Sequence, residues 1–143
     1  LTYSRSAAVD EASFVIVPRT ASESVRPGRL GTVIAAVRRG TLVSPHVGAT
    51  VIAEVSGFGG GSRLAGGSRL AGGSRLAGGP ELVFTGPGVR DRRTIEVPGA
   101  DEWLEVRAHA NREYPLGVDL ILVSPAGELV SIPRTTQIAR RER

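Results

Sequence analysis

The sequence predicts an α/β fold with a mixed β-sheet and flanking helices, on the strength of three observations. Short runs rich in β-branched residues recur along the 143-residue chain. Two stretches with apolar residues at helical spacing lie between them, and proline and glycine punctuate the joins. The length suits one domain of ordinary size.

The elements follow in order. SFVIVP (13–18) is an apolar run ended by proline and predicts a buried strand. LGTVIAAVRRG (30–40) puts Leu30, Val33, Ile34 and Val37 on one helical face, with Arg38 and Arg39 in the last turn and Gly40 as the stop. TVIAEV (50–55) and ELVFT (81–85) predict two strands flanking three copies of the hexamer SRLAGG (62–79), so the simplest arrangement is a β-hairpin lengthened by the repeat. Residues 57–79 hold ten of the 19 glycines, which disfavours helix and suits an exposed loop tolerant of insertion. An arginine-bearing arm for an anionic partner is the sharper alternative. TIEV (94–97) predicts a short strand. ADEWLEVRAHANREY (100–114) predicts a helix with Asp101 and Glu102 at its positive end, a stripe of Trp103, Val106, Ala110 and Tyr114, and Pro115 as the stop. GVDLILV (117–123) and ELVSIP (128–133) bracket the turn SPAG and predict a second hairpin, followed by a frayed tail, QIARRER.

Composition excludes whole chemistries. The chain has no Cys, Met or Lys; its 18 basic residues are all Arg, against 14 acids and two His. Without Cys there is no thiol nucleophile, disulfide, thiolate metal site or cysteine-held cluster. Without Lys there is no Schiff base and no phosphate-loop lysine. The formal charge of +4 suggests nucleic acid, but Arg63, Arg69 and Arg75 sit in the repeat and Arg140, Arg141 and Arg143 in the tail. Elsewhere 12 Arg face 13 acids, so the body is close to neutral. A nucleic-acid module would have to use the repeat, which contains no aromatic residue for base stacking. No apolar run approaches the roughly 20 residues of a membrane span, and no secretory leader is visible, so a cytoplasmic protein is expected. A chain that starts at Leu1 with no Met suggests a shortened N-terminus.

Few residues invite a chemical role. TGPGVRD (85–91) holds half a dinucleotide fingerprint, with Asp91 in place of the third glycine, and fits a plain turn better, although Arg90, Arg92 and Arg93 beside it could meet an anion. His46 and His109 lack the spaced partners of a metal site, and Glu105–His109 suits an ordinary i,i+4 pair. Asp119 is different, because it interrupts an apolar strand and a buried carboxylate needs a partner. Arg134, in IPRTT (132–136), is brought back toward it by the second hairpin. The pair is either an ion pair anchoring the strand end or, with the Thr135 and Thr136 hydroxyls, a receptor for a phosphate or a partner carboxylate. Buried ion pairs are common outside active sites, which favours the first.

YPLGVDLILV (114–123) followed by SIPRTT (131–136) resembles the C-terminal signature of the PhnH family, subunits of the bacterial carbon–phosphorus lyase system. LVFTGPGV (82–89) resembles the strand–turn segment preceding it, and GTLVSPHVGATVIAEV (40–55) fits more loosely. The similarity is strong over 82–137 and weak over 1–55. It is absent in the repeat, which replaces a short family hairpin. The resemblance implies one family domain over 1–139 with 57–79 as a repeat loop, 140–143 as a basic tail and an N-terminal α/β portion missing. It implies a fold similar to the large domain of pyridoxal-phosphate transferases without the cofactor, and the lack of Lys independently precludes that chemistry. It further implies a non-radical subunit acting with PhnG, PhnI and PhnJ, with self-association possible. That complex attaches a phosphonate to the ribose of ATP in place of adenine. No cofactor, metal or catalytic residue is assigned to this chain. Asp119, Arg134, Thr135 and Thr136 would hold a corner of the fold or meet a partner. A stand-alone binder or enzyme for a small phosphorylated anion centred on Arg134 is the rival.

Overall fold

A computed structural model describes residues 8–19, 29–59 and 79–141. The described elements run β1 (Phe14–Val17), α1 (Arg29–Ala36), β2 (Thr50–Glu54), β3 (Glu81–Thr85), β4 (Arg93–Glu96), α2 (Leu104–Ala110), β5 (Asp119–Val123), β6 (Leu129–Ile132) and β7 (Gln137–Arg140). Short 3₁₀ turns at Pro45–Val47 and Ala100–Glu102 precede β2 and α2.

The class is mixed α/β, but the strands divide between two sheets. One has the order β1-β2-β5-β6, with β1, β2 and β5 parallel and β6 antiparallel to β5. The other is antiparallel, in the order β4-β3-β7. The predicted β5–β6 hairpin is present, with Leu120 opposite Ile132 and Val123 opposite Leu129.

The expected hairpin of β2 and β3 is not formed. Both edges of β2 are occupied, by β1 and β5, and β3 lies between β4 and β7 in the other sheet. The chain between them therefore crosses from one sheet to the other, and residues 60–78, which hold all of the 62–79 repeat except Gly79, lie outside the described residues. The expected frayed tail is instead largely β7, in which Ile138 faces Phe84; Arg141 extends the pairing by donating its N–H to the Glu81 carbonyl at 2.9 Å. Arg140 forms an ion pair with Asp101, and Arg141 one with Glu81.

Three further expectations need correction. β1 is an edge strand and only half covered: Val17 is buried, while Phe14 and Ile16 are 69% and 63% exposed. α1 ends at Ala36, so Arg38, Arg39 and Gly40 lie beyond it; Gly40 takes φ +83° in the following loop, where a Cβ would press on the Pro45 backbone. α2 is shorter than the apolar stripe suggested. Asn111 leaves the helix to bond elsewhere, and Tyr114 is exposed rather than part of the stripe.

One apolar cluster joins both sheets and both helices. Val51, Leu120, Leu122 and Ile132 come from the first sheet, Leu82 and Phe84 from the second, and Ile34 and Trp103 from the helical layer. Gly31 lets α1 approach the Glu102 carbonyl so closely that a Cβ there would collide with it.

Candidate functional site

The residues singled out from the sequence meet where the chain leaves β6 and turns toward β7. Residues 133–136 make that turn, with the Thr136 N–H donating to the Pro133 carbonyl at 2.9 Å. Asp119 opens β5, in register with Thr50 of β2. Its carboxylate receives Arg134 three times. The Arg134 backbone N–H reaches Oδ1 at 2.7 Å, Nε reaches Oδ1 at 3.3 Å, and Nη2 reaches Oδ2 at 2.6 Å. The two side chains are 31% and 15% exposed, so solvent screens the pair only in part.

The rest of the Arg134 fork is used as well. Nη1 donates to the Pro45 carbonyl at 2.8 Å and more weakly to the Pro115 carbonyl at 3.5 Å. Arg134 thus ties together the start of β5, the turn after β6, the loop before β2 and the segment after α2. Gly48 permits this crossing, because a Cβ there would sit 2.8 Å from Nη1 and 2.7 Å from the Gly117 carbonyl.

Two contributors were not singled out from the sequence. Arg107, on α2, is buried, and its guanidinium donates to the Pro133 carbonyl at 2.8 Å and to the Thr136 carbonyl at 3.3 Å from both Nη atoms. Desolvation lowers its pKa to about 10, opposed by the charge of Asp119. Asn111 accepts from the Val118 N–H at 2.8 Å and donates to the carbonyls of Val118 at 3.1 Å and Arg134 at 3.4 Å. A signal for Arg107 existed: with Trp103 and Ala110 it falls at i, i+4 and i+7, on the apolar stripe itself. Asn111 carried no comparable signal.

Thr135 is half-buried, and its side chain makes no hydrogen bond among the described residues. Thr136 is buried, and its Oγ1 has no partner among the described residues. Neither threonine hydroxyl is thus joined to Arg134. His46 and His109 are both exposed and stand apart from the corner's hydrogen bonds. Among the described residues no group of three or more His, Asp or Glu is placed to hold a metal ion, and no helix is long and apolar enough to cross a membrane. The half-fingerprint at 85–91 is a turn, closed by the Val89 N–H on the Gly86 carbonyl at 3.0 Å and followed by β4 rather than a helix.

Chemically, the Asp119–Arg134 pair is closed on itself, while Arg107 Nε and Thr136 Oγ1 are buried without a hydrogen-bond partner among the described residues. The bidentate face of Arg134 is filled by Asp119, so an incoming oxyanion would have to displace that carboxylate. Arg107 faces backbone carbonyls of the 133–136 turn. The arrangement fixes a turn between two sheets.

Comparison with known proteins adds two findings. Residues 1–139 match the family model described as bacterial phosphonate metabolism protein (PhnH). The chain is also 36% identical over 135 residues to the putative C-P lyase subunit protein HtxG of Stutzerimonas stutzeri, an alignment covering 94% of this chain and 54% of that protein. The chain thus spans about half the length of this curated relative.

Proposed function

The chain belongs to the PhnH family of bacterial phosphonate metabolism proteins, and from that membership we propose that it serves as a non-catalytic, non-radical subunit of a carbon–phosphorus lyase complex. In this reading it supports the transfer of a phosphonate to the ribose of ATP, in partnership with PhnG, PhnI and PhnJ subunits in the cytoplasm. The domain is taken to extend over 1–139 with a fold like the large domain of pyridoxal-phosphate transferases, and the sequence contains no lysine to bind that cofactor.

One observation favours a supporting role over an active site. The charged side chains of the signature segments are spent on one another and on backbone, Asp119 on Arg134 and Arg134 on Pro45, while Arg107 and Asn111 from the α2 segment bond the 133–136 turn. A guanidinium already held by a carboxylate and by backbone carbonyls in the resting fold positions structure; it does not wait for substrate. The same engagement disfavours a stand-alone anion site at Arg134.

Co-expression with PhnG, PhnI and PhnJ subunits, followed by size-exclusion chromatography, tests the proposal. The chain is expected to elute with them in one assembly. Elution of this chain alone, while the other three assemble, would contradict it.

A further inference from the structure

β6 ends its sheet. β5 pairs with one edge, and no strand among the described residues takes the other. Ser124 and Glu128 close the β5–β6 hairpin as a bonded pair, with the Ser124 N–H donating to the Glu128 carbonyl at 2.9 Å. Bonded and non-bonded pairs alternate along an antiparallel ladder. Leu122–Val130 and Leu120–Ile132 are therefore bonded pairs, while Val123–Leu129 and Ile121–Ser131 are not. The N–H and C=O groups of Leu129 and Ser131 accordingly point out of the free edge.

That edge opens onto a cleft of about 250 Å³ between the two sheets. Leu129, Val130 and Ser131 all line it. Because successive side chains alternate between faces, three in a row reach one cleft only when the strand is presented edge-on. Phe84 and Ile95 form the apolar wall opposite, and Arg90 and Arg93 stand on the same hairpin. Neither arginine is ion-paired among the described residues. The volume falls below the roughly 300–1,000 Å³ of small-molecule pockets but suits an apolar side chain. The exposed edge itself, LVSI, carries neither the charge nor the proline that commonly blocks strand addition.

We infer that the β6 edge accepts an extended acidic segment of a partner polypeptide, which adds a strand beside Leu129–Ser131 and sets a carboxylate against Arg90 and Arg93. The main-chain bonds supply affinity, the cleft takes an alternate apolar side chain, and the arginines choose the charge. The cleft adjoins the corner at Thr136, which lines it, but the strand edge uses neither Asp119 nor Arg134 and does not depend on the identity of the complex.

A fluorescently labelled hexapeptide of alternating glutamate and valine, titrated with the whole chain and followed by anisotropy, tests it. Saturable binding is expected, weakened at least tenfold when alternate peptide nitrogens are N-methylated. Comparable weakening is expected from Arg90→Glu with Arg93→Glu, and from Ser131→Pro, which removes one outward N–H. The N-methylated peptide leaves the protein unaltered, so it is informative even if Ser131→Pro fails to fold. Equal binding of the N-methylated peptide, displacement by inorganic phosphate alone, or no saturable binding would overturn the inference.

Discussion

Arg107 holds a positive charge where water is nearly excluded, and burial lowers its pKa from the ordinary arginine value to about 10. The sign follows by linkage. Below about pH 10 the group is protonated both folded and unfolded, so the cost of burying the charge is fully present; from there up to the ordinary arginine pKa the unfolded chain binds more protons, and this contribution to stability rises with pH. At neutral pH the charge is a standing cost, offset by the carbonyls of Pro133 and Thr136. Replacing it with alanine removes the side chain's packing and leaves the Thr136 carbonyl without its donor. Arg107→Ala is expected to lower unfolding stability by about 2–4 kcal/mol, measured by urea denaturation at pH 7; an unchanged midpoint would remove Arg107 from the account. Asp119 and Arg134 could be found in the sequence because a carboxylate within an apolar strand demands a partner. Arg107 was hidden because the stem of an arginine can cover apolar surface while its head stays wet, so its place on the stripe did not reveal which end was buried.

At the scale of elements, local pattern located six of the seven described strands and both helices, but it could not assign partners. β2 and β3 flank the repeat in sequence, and proximity suggested a hairpin. The apolar alternation of TVIAE says only that neighbours are needed; parallel pairing with Phe14–Val17 and Asp119–Val123 depends on residues far away along the chain. β7 was missed for the opposite reason. QIAR is short and half polar, and its strand character comes from pairing with β3. Since Glu81–Arg141 is a bonded pair, the alternation makes Val83–Ala139 bonded too. Ala139→Pro removes that N–H and is expected to cost about 1–3 kcal/mol, read as a lower thermal midpoint. A solvated tail would show no change.

Taken whole, the molecule is two small sheets and a helical layer sharing one apolar cluster, with the chain crossing from the first sheet to the second at the 133–136 turn. The α/β class was legible because strand and helix periodicities alternate. The division into two sheets was not, because it depends on which edges are already occupied. The corner at Asp119 and Arg134 holds this crossing against α2 and the loop before β2, and the engagement of Arg134 by Asp119 and Pro45 underlies the proposal of a supporting subunit. Urea unfolding of Arg134→Ala, paired with calorimetric titration of both proteins with methylphosphonate and inorganic phosphate, tests that claim most directly. The account predicts a loss of about 3 kcal/mol from an uncompensated Asp119, with no heat of binding in either protein. A variant that unfolds like the wild type, but has lost an anion site the wild type possesses, would contradict it.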